Sequence, residues 1–469
     1  MSATPTVRPA AGIRQPWTVL AVLAVAQFMV ILDITIVNVA LPSIGHALSF
    51  PRSGLQWVIT AYVLCSGGLV LVGGRAADLF GRRRVFLSGL AVFTAASLVS
   101  ALAPSAGVLI ASRAAQGVGA AMLTPAALSI VSTVYSGSQL ATALGIWGAI
   151  ASAGIAVGVI FGGVLTTLLS WRWVFLVNVP VGVVAGLLAP QVIPELSASG
   201  RRRSLDPFGA LSLVGGLAVL VYALSGAAAH GWGSARTIGL LALSAALLVA
   251  FGAIERTVAE PLIPPAIWKV TPVVSGAAIM LGATGILAGT FFLVSVHTQE
   301  VLGWSPLHSG LAFLPFVVAT ALGVHGTSRA IGKVGSRALI AAGLAIAAVG
   351  ALVLAAVPHH ASYVSALLPG LVILGLGMGL AFPATSITAM NDVDHDTAGL
   401  ASGVMSTAHE VGAALGTAVL SAIAVSSSST GFSGSAFVAA ALTAGVLALV
   451  AAALVPVVRP LPGARVSAH

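Results

Sequence analysis

Three ionisable side chains stand inside otherwise apolar runs of this chain: Asp33, Arg113 and Glu410. A charge at the centre of a membrane span costs roughly 2.5–3.5 kcal/mol on insertion scales, so each is a functional candidate by default. An acid so placed can bind and release protons or attract a cation, and an arginine can neutralise it. Depth relates the first two. Asp33 lies nine residues before Pro42, where the run opened at Trp17 ends, about 13 Å from that end at about 1.5 Å per residue. Arg113 lies six or seven residues into a run entered from the same side, about 10 Å deep by the same rise. Opposite charges at matched depth in lipid pair, so Asp33 and Arg113 are expected to be neighbours. The pair is either a structural tie or a contact weakened when Asp33 takes a proton or a substrate. Glu410 lies about 18 Å along its own run, near the midplane. It is either a protonated group hydrogen-bonded to a neighbouring helix or a proton carrier. His409 beside it points about 100° away on a helix and reads as an interhelical hydrogen-bonding group.

Weaker candidates surround these. Gln27, Asn38, Tyr62, Gln116, His297 and Gln299 are polar residues in or near helices expected to line a central cavity. Each reads first as an interhelical hydrogen bond and second as a substrate contact. Asp392, Asp394, His395 and Asp396 are spaced like metal ligands, but acids before a helix are ordinary, and no metal site is expected. No phosphate-binding glycine loop, Ser/His/Asp set or H-E-x-x-H occurs, so an ATP-driven pump and an intramembrane protease have no support. Neither an enzyme nor a bound cofactor is expected.

The elements that position these groups follow from composition. Of 469 residues, 58% are hydrophobic and 7% charged, against about 25% charged in soluble domains; the chain reads as an all-α polytopic membrane protein. Cys65, the one cysteine, precludes an internal disulfide. Taking about 20 apolar residues per span, helices are predicted near 17–41, 55–75, 84–103, 107–131, 141–169 and 173–193. Two more fall near 208–225 and 237–255, and six near 272–299, 307–328, 336–357, 363–388, 398–426 and 434–457. The first is a retained span, not a cleaved signal peptide. With the amino terminus inside, sixteen of the twenty Lys and Arg face inward, only Arg52, Arg172 and Arg236 face outward, and Arg113 is intramembrane. That asymmetry predicts cytoplasmic termini, and the basic loops serve orientation, so nucleic acid is not an expected partner.

An internal repeat divides the chain. Gly117, Gly119 and Pro125 recur 258 residues later as Gly375, Gly377 and Pro383, and Gly154 and Gly158 recur as Gly412 and Gly416. An offset of 254 carries Arg75, Gly81 and Arg83 onto Arg329, Gly335 and Arg337. The expected layout is a tail (1–16), a six-helix half (17–193), a basic linker (194–207), two inserted helices (208–256), a second six-helix half (257–457) and a tail (458–469).

Gly74-Arg75-Ala76-Ala77-Asp78-Leu79-Phe80-Gly81-Arg82-Arg83-Arg84 falls in the predicted inner loop between the second and third helices. Its spaced glycines and acid exceed what an orienting basic loop requires. This run, together with Leu32-Asp33 to Pro42 (L-D-x-T-x-V-N-V-A-L-P), resembles the major facilitator superfamily in its fourteen-helix drug:proton antiporter branch (EmrB/QacA-type). Arg113, Gln116 and Gly117 fit that branch's fourth-helix pattern. Trp171-Arg172-Trp173 with Phe175, Asn178 and Pro180 fit its sixth, and Gln299, Gly303, Ser305-Pro306, Gly310 and Pro315 fit the join of the ninth and tenth. The resemblance implies two six-helix halves plus two inserted helices around a midplane cavity, working by alternating access. It implies a conformational motif at Gly74, Asp78, Gly81, Arg82 and Arg83, and a fifth-helix motif at Gly154, Gly158, Gly162 and Gly163. In that motif Val159 stands where the family has proline. It further implies export of drugs or antibiotics driven by a proton gradient; Asp33, Arg113 and Glu410 are the expected coupling residues, although the branch more often has an amide at the place of Glu410. Two embedded acids with few compensating bases suit a lipophilic or cationic substrate. Partners would be that small molecule, protons and lipid; the expected setting is a monomer in the plasma membrane. A facilitator or importer of the same fold, which Val159 favours, and a non-transporting sensor or scaffold are the alternatives.

Overall fold

The computed structural model describes residues 16–50, 54–135, 137–195, 206–258, 261–356, 363–390, 398–427 and 434–455. Apolar runs too long for one layer of a soluble domain become helices because lipid offers the backbone no hydrogen-bond partner. In chain order these are α1 (Pro16–Ala47), α2 (Trp57–Phe80), α3 (Arg82–Ala101), α4 (Ala106–Val134), α5 (Gly137–Leu168), α6 (Trp173–Val192), α7 (Pro207–His230) and α8 (Ala235–Thr257). They continue as α9 (Thr271–Val301), α10 (Pro306–Val334), α11 (Ser336–Ala355), α12 (Leu368–Met390), α13 (Ala398–Ser427) and α14 (Gly434–Leu454). Among the described residues thirteen are long and apolar enough to cross a membrane, and the 32-residue α5 makes fourteen. The chain is a multi-pass membrane protein.

Two bounds differ from the sequence reading for physical reasons. Helix α1 continues through Pro42 to Ala47, because a proline inside a helix removes one hydrogen bond without forcing a stop. Helix α2 runs to Phe80 and α3 begins at Arg82, so Gly74 to Asp78 are helical and the expected loop shrinks to Gly81. That residue has φ 94°, a conformation open to glycine at little cost. Gly335, its repeat counterpart, makes the same one-residue link between α10 and α11 with φ 82°.

The repeat is visible in packing. Gly117 of α4 lies against Tyr62 and Cys65 of α2, and Gly119 against Gly89 and Phe93 of α3. Gly375 of α12 lies against Phe316 of α10, and Gly377 against Gly343 and Ala347 of α11. Likewise α5 packs on α1 as α13 packs on α9. Inserted helix α7 lies against α2 and α13, one from each half, while α8 leans mainly on α7. The basic run Arg201-Arg202-Arg203, the acidic run 392–396 and both tails lie outside the described residues.

On the face away from the start of α1, the halves meet. Pro42 leaves the Asn38 carbonyl without a helical donor, and Ser295 Oγ of α9 donates to it at 3.0 Å. Gln299 Nε2 donates to the next carbonyl, Val39 O, at 2.9 Å. Beside them, α5 meets α10 where Leu307 N donates to Thr167 Oγ1 at 3.2 Å. On the face where α1 begins (the N-face), a cavity separates the halves.

Candidate functional site

Asp33 is fully buried, and its carboxylate gathers three donors from two helices. Arg113 of α4 donates to Oδ2. Gln116 Nε2 at 3.2 Å and Asn178 Nδ2 of α6 at 2.8 Å donate to Oδ1. The guanidinium, 1% exposed, makes two further bonds: Nε donates to Val58 O of α2 at 3.0 Å and Nη1 to Gln116 Oε1 at 2.9 Å. The Tyr62 ring lies with its centroid 4.3 Å from Cζ, a cation–π contact. Gln116 is held in turn by Ser97 Oγ, to which it donates at 2.7 Å. The depth-matched charges are thus in contact, inside a network that offsets the cost of burying them.

Helix α5 seats the acid's helix. Gly154 faces Phe28 and Ile31, Gly158 faces Thr35, and Gly162 faces Ile36, while Gly163 turns to Leu307 of α10. The first three glycines bracket Asp33 on α1, and the missing Cβ atoms permit the close approach. With Val159 in place of proline, α5 is one unbroken helix, and the Val159 carbonyl packs against Gly310.

Glu410 lies in the other half and faces a different environment. It borders a cavity of about 360 Å³ that reaches from mid-membrane to Met390, the last residue of α12. Its lining mixes apolar, deformable side chains (Val30, Val70, Met280, Met390 and Met405) with polar ones (Tyr62, Ser66, Thr124, Ser386, Ser402, Ser406, His409 and Glu410). The Ser66 hydroxyl sits 3.3 Å from Glu410 Oε2, and among the described residues no arginine or lysine lines the cavity. His409 reaches Thr284 Oγ1 of α9 at 3.2 Å, away from its neighbour. The space lies within the range of small-molecule pockets, about 300–1,000 Å³, and its carboxyl group can hold a proton or a cation.

Of the six polar residues expected around a cavity, Tyr62 alone borders it in this conformation. Gln116 is spent on the Asp33 network. Asn38 turns back to its own helix at Ile34 O, 2.9 Å, and Gln299 closes the α1–α9 seam. His297 is buried on the same α9 segment, and Gln27 is buried in α1. Sequence reading did not select Ser66, the three methionines or the serines of α12 and α13. Asn178 was visible only as part of a motif.

The conformational motif forms a corner on the N-face. Arg82 donates to Thr133 at the end of α4, and Arg75 Nη2 donates to Pro261 O beyond α8 at 2.5 Å. Asp78 and Arg83 are half-buried at the same corner, and Gly74 faces Pro125 of α4.

Three comparisons bear on this geometry. The Major Facilitator Superfamily model matches residues 23–417. Puromycin resistance protein pur8 of Streptomyces alboniger is 40% identical over 412 residues, 87% of this chain and 81% of that protein. Cephamycin export protein CmcT of Amycolatopsis lactamdurans is 40% identical over 408 residues, 86% of this chain and 84% of that one. In fold alone, the crystal structure of the POT family transporter PepTSo superposes with a TM-score of 0.67 at 14% identity, covering 94% of this chain and 97% of that chain.

Proposed function

The chain belongs to the Major Facilitator Superfamily, a family of transporters and not of enzymes, and from that premise we propose that it is a proton-driven exporter of lipophilic drugs or antibiotics, cationic ones included. The observation that carries this reading is the separation of two membrane-embedded acids. Asp33 is sealed in an ion-paired network, and Glu410 opens onto a cavity lined by no arginine or lysine among the described residues. A proton on Asp33 removes the charge that holds Arg113. A proton on Glu410 removes the charge that would hold a cation. Exchange of substrate for protons needs both events in one cycle, and relatives named for puromycin resistance and cephamycin export support the drug assignment.

The alternating-access cycle has a starting point here. The positive-inside distribution makes the N-face cytoplasmic, so a cavity reaching that face with the opposite seam closed is the inward-facing state. Both termini are then cytoplasmic, and one chain encloses the cavity as a monomer in the plasma membrane. In this state Glu410 meets substrate from the cytoplasm. After reorientation, protons from the acidic exterior displace it. The gradient is the energy source, and no cofactor takes part.

The test is a substrate panel in inside-out vesicles carrying an imposed pH gradient, with puromycin and a cephamycin included. Substrate-dependent loss of the gradient supports exchange. Gradient-independent equilibration of the same compounds would replace the exporter with the facilitator that Val159 allows.

A further inference from the structure

One stripe of α2 touches both acids' surroundings, although the acids belong to different halves. Val58, Tyr62 and Ser66 are spaced four residues apart and share a helix face. Val58 O accepts from Arg113 Nε at 3.0 Å, the Tyr62 ring lies over the Arg113 guanidinium, and the Ser66 hydroxyl sits 3.3 Å from Glu410. Gly67 lies directly against the Glu410 side chain, and Thr407 Oγ1 donates to Gly67 O at 3.0 Å, so the end of the stripe is docked on α13. Tyr62 is 1% exposed, borders the cavity, and has a hydroxyl with no hydrogen-bond partner among the described residues. The charged groups acting on it are Asp33 from α1, Arg113 from α4 and Glu410 from α13. On α3, Phe93 packs edge-on against its ring.

We propose that the Val58–Tyr62–Ser66 stripe of α2 couples the two acids, with Tyr62 as the positioning residue that passes the state of the Asp33–Arg113 pair to the Glu410 cavity. This rests on the reading of Glu410 as the cavity acid. When Asp33 loses its charge, the Arg113 guanidinium keeps four neutral partners: Val58 O, Gln116 Oε1, the Tyr62 ring and, farther off at 5.7 Å, the Phe175 ring of α6. Two of the four, including the nearer ring, belong to α2. The cation therefore transfers its hold from α1 to α2, drawing Tyr62 and, one turn on, Ser66. Because the Ser66 end is docked on Glu410 and Thr407 of α13, any displacement of α2 changes the hydrogen bond and the space at the cavity acid. Energetic coupling needs such a continuous element with contacts to both sites.

The experiment is a double-mutant cycle on binding of tetraphenylphosphonium to the full-length protein in lipid nanodiscs. That cation carries a fixed charge, so pH acts on the protein alone. Asp33→Asn is expected to change the Kd by about tenfold, the size of a typical allosteric coupling. In the Tyr62→Leu background the same substitution should change it by less than about twofold, whereas Tyr62→Phe, which keeps the ring, should restore the full effect. Should Tyr62→Leu fail to fold, Ser66→Ala cuts the stripe at its other end and must likewise blunt the Asp33→Asn effect. Equal Asp33→Asn effects in the wild-type, Tyr62→Leu and Ser66→Ala backgrounds, or none in the wild type, would overturn the coupling role. Glu410→Gln in the same series separates the two readings: binding unweakened by it overturns the cavity assignment and the inference with it. Additive effects alongside a weakened Glu410→Gln overturn the stripe alone.

Discussion

Replacing Asp33 by Asn keeps the side chain's size and removes its charge, the change a bound proton would make. The magnitude follows from the network. Breaking a buried ion pair by removing one partner costs about 3–5 kcal/mol. Here the lower end applies, because Arg113 retains Val58 O at 3.0 Å, Gln116 Oε1 at 2.9 Å and the Tyr62 ring at 4.3 Å. The amide oxygen can still accept from Gln116 and Asn178, but the amide nitrogen faces a guanidinium and donates where an acceptor is needed. About 3 kcal/mol is about a hundredfold in an equilibrium, at about 1.4 kcal/mol per tenfold. If the pair sets the balance between conformations, Asp33→Asn holds the protein near its protonated setting and uncouples it from the gradient. In proteoliposomes, efflux driven by an imposed pH gradient should then fall at least about tenfold. Substrate-for-substrate counterflow, which needs no net proton movement, should persist at a reduced rate. Gradient-driven efflux within about twofold of wild type would refute the reasoning, because a charge that can be deleted without consequence is not the coupling charge.

Other expectations follow from single contacts. Pro42→Ala supplies the Asn38 carbonyl with a helical donor in competition with Ser295. A net hydrogen bond of about 0.5–1.5 kcal/mol predicts a two- to roughly tenfold looser far-side seam, read as faster alkylation of a cysteine placed at the buried Ile44 in a Cys65→Ser background. Gly416 lies against the Gly285 backbone where α13 crosses α9, so Gly416→Ala should cost about 1–3 kcal/mol by overpacking. It should lower the melting temperature in detergent, whereas alanine at Gly252, which has nothing within 4 Å, should not. The His46–Glu300 pair at 2.8 Å has its histidine side chain 75% exposed, and exposed pairs contribute about 0–1 kcal/mol. His46→Ala should therefore leave efflux within about twofold of wild type, and a larger loss would promote that pair to part of the gate.

The helices were legible because lipid imposes a length and an apolar content that composition reveals directly. The Asp33–Arg113 contact was legible because a charge in such a run has few places to go and depth can be counted. The cavity was not. A helix that meets lipid on one side and protein on the other is apolar all round, so periodicity does not report which side faces inward. Five of the six polar residues expected at the cavity serve hydrogen bonds or packing elsewhere in this conformation, while the commonest residues in its actual lining are serine and methionine, types unremarkable in any helix. Ser66 became informative only once α2 was seen against α13, a contact 344 residues apart in sequence.

The two halves share a scaffold but not its chemistry, which bears on why the charges are there. Gly154 meets Ile31 as Gly412 meets Leu281, and Gly158 meets Thr35 as Gly416 meets Gly285, so Asp33 corresponds to Ala283; the 258-residue offset carries Arg113 and Gln116 onto Leu371 and Leu374, and all three counterparts are buried. Those matching Ser97 and Ser100, whose hydroxyl donates to Gln116 Oε1 at 3.2 Å, are Ala351 and Leu354, buried as well. Yet α9, α10, α11, α12 and α13 pack in the same pairs as α1 to α5, so the architecture forms without an ion pair. Apolar residues of similar volume commonly equal or exceed a buried ion pair in stability. A polar network in the first half therefore gains nothing for the fold that alanine and leucine do not supply in the second. What apolar residues cannot supply is a group that changes charge. The asymmetry thus supports a working role for the first-half network. It also makes α2 the informative helix: it belongs to the charged half, yet its Ser66 and Gly67 rest on the acid of the other.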